Sequence, residues 1–146
     1  VRAGIRNSMF TVRPEEDAMA IDEYLKSLQP TPSPHLVTGR LSAAAKRGKR
    51  LFASEAVGCL ECHKNEFYTD MKSHNVGTMG KFRQPKKRFD TPSLIEIWRT
   101  GPYLHDGRAA TLRDVVTTFN PDNLHGATTH LTPEQVDDLV EFVLSL

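Results

Sequence analysis

Two cysteines three positions apart, with a histidine directly after the second, constrain this chain more than any other stretch: Cys59-Leu60-Glu61-Cys62-His63. They are the only cysteines in the sequence, so no second pair helps to hold whatever they hold. Four chemistries compete for them. A disulfide between Cys59 and Cys62 belongs to redox motifs in an α/β setting, and that setting is absent here. A structural zinc takes four ligands, commonly two such pairs, so histidines would have to supply the other two. Two unrelated free thiols leave the adjoining His63 without a reason. Covalent attachment of a c-type haem uses all three residues. Two thiols at this spacing reach the two vinyl groups of one porphyrin, and the imidazole that follows is placed to ligate its iron. This is the reading the motif favours, with zinc as the runner-up. It implies one haem c on Cys59 and Cys62, iron ligation by His63, and export to the periplasm, the cell surface or beyond.

The rest of the chain reads as an all-α domain with long loops. Residues 15–28 suit a helix: Pro14 opens it, Glu15, Glu16 and Asp17 complement the helix dipole, and Ala18, Ile21, Leu25 and Leu28 share one face. "QPTPSPH" follows as an extended, stiff linker. The expected division is therefore residues 1–38, a helix and linker left from an upstream neighbour, and residues 39–146, the haem domain. The opening "VRAGIRNSMF" has neither an initiator Met nor a signal-peptide pattern and reads as part of something longer.

A second helix is expected over residues 42–54, capped by Ser42 and carrying Phe52 just ahead of the cysteines. Residues 64–90 read as a long loop with a basic, solvated stretch, "KFRQPKKRF". Thr91-Pro92 opens a short helix with Leu94, Ile95, Ile97 and Trp98, and "TGPYLHDGRAA" is a connector. Thr111 and Asp114 make a capping box for a helix to about Phe119. The last helix has the clearest start: Thr132 as cap, Pro133, Gln135 as the reciprocal cap, and a Leu131–Val136 staple. Its expected buried stripe is Val136, Leu139, Val140 and Val143. No strand is expected. With a formal net charge of +1, nothing favours nucleic acid or anionic lipid as a partner. No apolar run reaches the roughly 18–20 residues of a membrane span. Trp98, Phe119 and Leu94 are the candidates for packing on the haem.

From Cys59 onward the sequence resembles the haem domain of bacterial cytochrome c peroxidases and MauG-like proteins. The stretches that carry the resemblance are "GCLECHKNEFYTDMKSHNVGT", "FDTPSLIEIWRTGPYLHDGRAATLRDVVTTFN" and "LTPEQVDDLVEFVLSL". The N-terminal part looks like the lead-in to such a domain in large secreted proteins, where it follows a β-propeller. The resemblance implies a sixth iron ligand, Met or Tyr, near the end of the helix after "HDG"; the matching residue here is Phe119, which cannot ligate. His125 is the first choice to fill that place, ahead of His74, Met79 and an open site, with Met71, His105, His130 and the linker His35 behind. The likeness puts His105 at the haem edge in a supporting role, with Tyr103 and Arg108 beside it. Arg88 and Arg99 both suit a haem carboxylate.

Two functions follow. One is a mono-haem electron carrier, alone or as a module of a larger oxidoreductase, acting with a redox protein partner. The alternative is a peroxidase-type enzyme with an open iron site, His74 or Glu66 as proton shuttle, and a second haem supplied by a partner.

Overall fold

The computed structural model describes residues 2–79 and 88–146; of the basic stretch, only Arg88 and Phe89 fall among them. Two compact units result, one ending at Pro30 and one spanning Thr31–Leu146. In the first, α1 (Arg2–Ser8) and α2 (Glu15–Ser27) are joined by Arg2, which pairs with Glu15 and Asp22. Of the expected apolar face on α2, Ala18 is buried while Ile21, Leu25 and Leu28 are exposed.

The second unit is built on α3 (Ala43–Phe52) crossing α5 (Pro133–Leu144). Ser42 caps α3 by accepting from Ala45 N, and the Thr132–Gln135 capping box opens α5. Ala45, Gly48 and Phe52 recur at helical spacing and form the buried face of α3. Gly48 lets the helices touch: a Cβ there would lie 1.8 Å from the Asp138 carbonyl oxygen. Beside that contact, Arg47 holds the buried Asp138 in a fork, with Nε–Oδ2 and Nη2–Oδ1 both 2.6 Å. Phe52 meets Phe142 edge-on at 5.2 Å between ring centroids. Val57, Leu94, Ile97 and Leu139 complete the core. Val136 and Leu139 are buried as expected on α5, and Phe142 and Asp138 join them. The proline-rich segment packs here too: Ser33 Oγ donates to Leu144 O and His35 Nδ1 lies 3.4 Å from Glu141.

Three expectations are corrected. The long loop contains a two-residue antiparallel ladder, β1 (Ser73–His74) with β2 (Phe89–Asp90), pairing Ser73 with Asp90 and His74 with Phe89. The helix expected from Thr91 is only a 3-10 turn, Ile97–Arg99. Thr91 N is committed to Lys72 O, extending the ladder, and Glu96 sits at φ 59°, outside helical geometry. Helix α4 (Leu112–Val116) has the expected capping box at Thr111 but stops short of Phe119. Thr117 Oγ1 bonds back to Arg113 O and Phe119 N reaches Asp114 O, so the last turn loosens.

Candidate haem site

A cavity of about 690 Å³ opens between these elements, within the roughly 300–1,000 Å³ usual for small-molecule and cofactor sites. Leu139, Val140 and Val143 of α5 form one wall, with Phe52, Leu94, Ile97, Leu112, Val115 and Val116 around it. Cys59, Cys62 and His63 line the same cavity. Gly58, at φ 77°, turns the chain into a 3-10 turn over Cys59–Glu61, and His63 N returns to Cys59 O. That turn brings both thiols and the imidazole to one rim.

Burial pushes the Cys59 thiol up to about 12, and burial followed by the Asp70 charge raises Cys62 as well. Both are free thiols. Protonated and partly enclosed, they lack the low-pKa character of a dithiol redox motif. Zinc fares no better: among the described residues, the cluster with metal-ligand spacing is Cys62, Asp70 and His74, which leaves out Cys59.

His63 Nδ1 lies 2.9 Å from Tyr68 O and donates to it, which fixes the tautomer and leaves the Nε2 lone pair for a metal. Burial is the main reason its pKa is lowered. Facing it is His125, with ring centroids 6.2 Å apart and planes 32° from parallel. That separation suits one metal ion bonded to a nitrogen of each ring, given metal–imidazole bonds of about 2.0–2.1 Å, the zinc value. His125 Nδ1 is enclosed and has no hydrogen-bond partner among the described residues. Burial, then the nearby His63, pushes His125 down to about 4, so its ring is neutral at pH 7.

The loop that carries His125 is fixed by a residue that no sequence motif marks. Asn120 is 1% exposed. Its Nδ2 reaches His125 O, Gly126 O and Thr128 Oγ1 at 3.2, 2.7 and 2.9 Å, and its Oδ1 accepts from His125 N at 2.9 Å. Ala127 N then donates to Val57 O, stitching the loop to the segment that leads into Cys59. Gly126, at φ 78°, makes this approach possible: a Cβ there would lie 3.1 Å from Val57 O. An Asn within a run of polar loop residues looks like any turn former, and only the fold reveals it as a hub.

The other expected residues divide. Tyr103 and His105 line the cavity; Tyr103 Oη donates to Ile97 O, and His105 stacks on Phe89 at 3.8 Å. Trp98, Arg108 and Phe119 stand outside the lining. Arg108 pairs with Asp106 and lies 6.0 Å over the Phe119 ring. His74 lines the cavity with its Nε2 2.8 Å from Asp70 Oδ2. Glu66, Met71, Met79 and His130 are exposed and do not line it.

The pKa of His125 gives a signed expectation. Its folded value lies below the roughly 6.5 of an unfolded histidine, so the unfolded chain binds more protons between those values. Stability is complete above that window and falls with pH inside it. Going from pH 7 to pH 5 costs about 2 kcal/mol through this residue. Urea titrations of the haem-free wild type and His125→Gln at both pH values, where the ring is free to protonate, check it: the variant loses that part of the slope, and equal slopes refute the assignment.

Comparison with known proteins agrees with the chemistry. The chain is 33% identical over 165 aligned positions to the hydrazine synthase subunit gamma of Kuenenia stuttgartiensis, covering 84% of this chain and 47% of that one. It is 38% identical over 91 positions to the methylamine utilization protein MauG of Methylorubrum extorquens, covering 54% of this chain and 26% of the relative. A cytochrome-c peroxidase of Denitromonas iodatirespirans is 39% identical over 82 positions, covering 51% and 20%. The chain thus spans about half, or less, of the length of these relatives. Among solved structures, hydrazine synthase of Kuenenia stuttgartiensis superposes with a TM-score of 0.72 at 30% identity, over 84% of this chain and 52% of that one. A MauG-like protein associated with microbial copper homeostasis shares the fold, with a TM-score of 0.60 at 22% identity over 86% and 50%. The cytochrome c family pattern matches residues 45–146. Running from inside the helix ahead of the cysteines to the C-terminus, that match makes the chain a member of the cytochrome c family, carrying haem c through Cys59 and Cys62.

Proposed function

We propose that this chain is a mono-haem electron-transfer domain, exported to the periplasm or cell surface and working with a redox protein partner or within a larger oxidoreductase. The observation that carries this reading is the pair of neutral imidazoles, His63 and His125, facing each other across the cavity. When bound, haem supplies a one-electron couple, which a strong ligand on each side directs toward electron transfer and an open side toward substrate binding. His63 is oriented for ligation by Tyr68 O, and the Asn120 network holds the His125 backbone in place. The apolar side chains of α4 and α5 keep water from the cavity wall.

Among the described residues, the acid–base candidate at the cavity is a single pair, His74 with Asp70, which is what the second reading, a peroxidase-type enzyme, would use. His74 is engaged by Asp70, and Glu66 is exposed and outside the lining. No helix is long and apolar enough to cross a membrane among the described residues. That one relative is by name a subunit of hydrazine synthase supports a place in a larger assembly. The likeness to a peroxidase supports the second reading, in which a partner brings another haem.

Spectroscopy separates the two. The ferric protein is expected to be low-spin by absorption and EPR and unaltered by cyanide, and His125→Ala is expected to turn it high-spin. A high-spin wild type that binds cyanide would overturn the electron-transfer reading and the role of His125 together. A low-spin spectrum that survives His125→Ala would move the ligand to His74, which lines the same cavity.

A further inference from the structure

The cavity has one polar corner that the haem ligands do not explain. Among the described residues that line it, Arg88 is the only arginine or lysine, two residues before Asp90 on the same segment. The β1–β2 ladder holds it there: Arg88 Nε and Nη2 donate to Ser73 O at 3.0 and 2.6 Å, across from the strand it precedes. Four other arginines in this unit are matched to carboxylates of the chain, while Arg40 and Arg50, like Arg88, are in no ion pair among the described residues but do not line the cavity. Arg47 pairs with Asp138, Arg99 with Glu96, Arg108 with Asp106 and Arg113 with Asp137. Arg88 makes no such pair among the described residues, and nearby Asp90 accepts from Ser73 Oγ instead.

A guanidinium carries five N–H donors in a fork matched to a carboxylate. Bonding to one carbonyl oxygen leaves Nη1 and part of Nη2 for another acceptor. Arg88 is exposed at the edge of a largely apolar cavity, so its charge is solvated and its remaining donors are open to a ligand that brings a counter-charge. Haem brings two carboxylates. Arg99, the other arginine suited to this role by sequence, does not line the cavity and is held by Glu96.

We propose that Arg88 binds a haem carboxylate at the β1–β2 end of the cavity, with Ser73 O fixing the direction of its guanidinium. This rests on the haem c assignment. The other titratable groups around that corner are His74 on β1, its partner Asp70, Asp90 on β2, and His105 stacked on Phe89.

The test uses the haem-loaded protein as wild type, Arg88→Gln, Arg88→Lys and Arg99→Gln. Haem content is read by pyridine haemochrome, and midpoint potential against pH by spectroelectrochemistry. Haem content is expected to be unchanged in all four, because the cysteines hold it. In Arg88→Gln the midpoint falls, since an uncompensated negative charge favours ferric iron. It also becomes steeper with pH between about 5 and 8, because a carboxylate without its cation titrates higher. The slope approaches at most about 59 mV per pH unit, the tenfold step of a one-electron, one-proton couple. Arg88→Lys, which keeps the charge and loses the fork, falls between, and Arg99→Gln matches the wild type. A wild-type potential and pH profile in Arg88→Gln overturns the proposal. So does an equal shift in Arg99→Gln, which would reduce the effect to general charge. A wild type without covalent haem would instead overturn the haem assignment.

Discussion

Replacing Asn120 with leucine is expected to cost about 3 kcal/mol of folding stability, and to release the second imidazole from its place opposite the first. The side chain is fully enclosed and meets His125, Gly126 and Thr128 through both ends of its amide. Leucine fills a similar volume but leaves a buried amide N–H and buried oxygens without partners, the costly half of hydrogen-bond loss. Asn120→Asp should do no better, because a carboxylate would face the oxygens of His125, Gly126 and Thr128. Urea unfolding of the haem-loaded variants should show a lower midpoint with an unchanged slope. The absorption spectrum should gain high-spin character, since His125 N loses its anchor. A loss below about 1 kcal/mol, the net worth of one ordinary hydrogen bond, with a wild-type spectrum, would show that the loop holds itself without Asn120.

Gly48→Ala is the second large effect. In an exposed helix this change would be favourable by about 1 kcal/mol. Here the new Cβ would stand 1.8 Å from the Asp138 carbonyl oxygen and 2.5 Å from its carbon, with Phe142 Cβ at 2.9 Å. The obstacle is mainly backbone, so no rotamer change relieves it and α3 must move off α5. Opening that crossing separates Phe52 from Phe142 and strains the Arg47–Asp138 fork. The expected net loss is about 3 kcal/mol or more, at the upper end for overpacking. Thermal unfolding of the variant measures it, and a melting point equal to the wild type would contradict the crossing.

How much of this was legible beforehand depends on how local each signal is. Ser42, Thr111 and Thr132 announce their helices because a cap and its partner lie within four residues of each other. The cysteine motif is legible for the same reason, its donors being fixed by spacing alone. The β1–β2 ladder was missed because two residues give no alternation to read, and their pairing depends on closing a long loop. The short turn at Ile97–Arg99 was overread as a helix because apolar spacing does not show that Thr91 is engaged elsewhere. Asn120 and Gly48 carry weight through contacts with residues distant in sequence or on another helix, which composition and periodicity do not encode. The sorting of Arg88 from Arg99 was equally closed to sequence, since both are arginines near the same motif and only the wall of the cavity separates them.

The hydrogen bond from Ala127 N to Val57 O has a consequence for how the protein responds to unfolding forces. It joins the segment before the first imidazole to the loop bearing the second, far away along the chain. A metal held by both His63 and His125, as proposed above, would act as a second tie across the same long loop, lowering the entropy of the unfolded chain as a disulfide does. Reagents that take one imidazole off the metal should then lower mechanical and thermal resistance throughout residues 57–127, and not only at the ligand they displace.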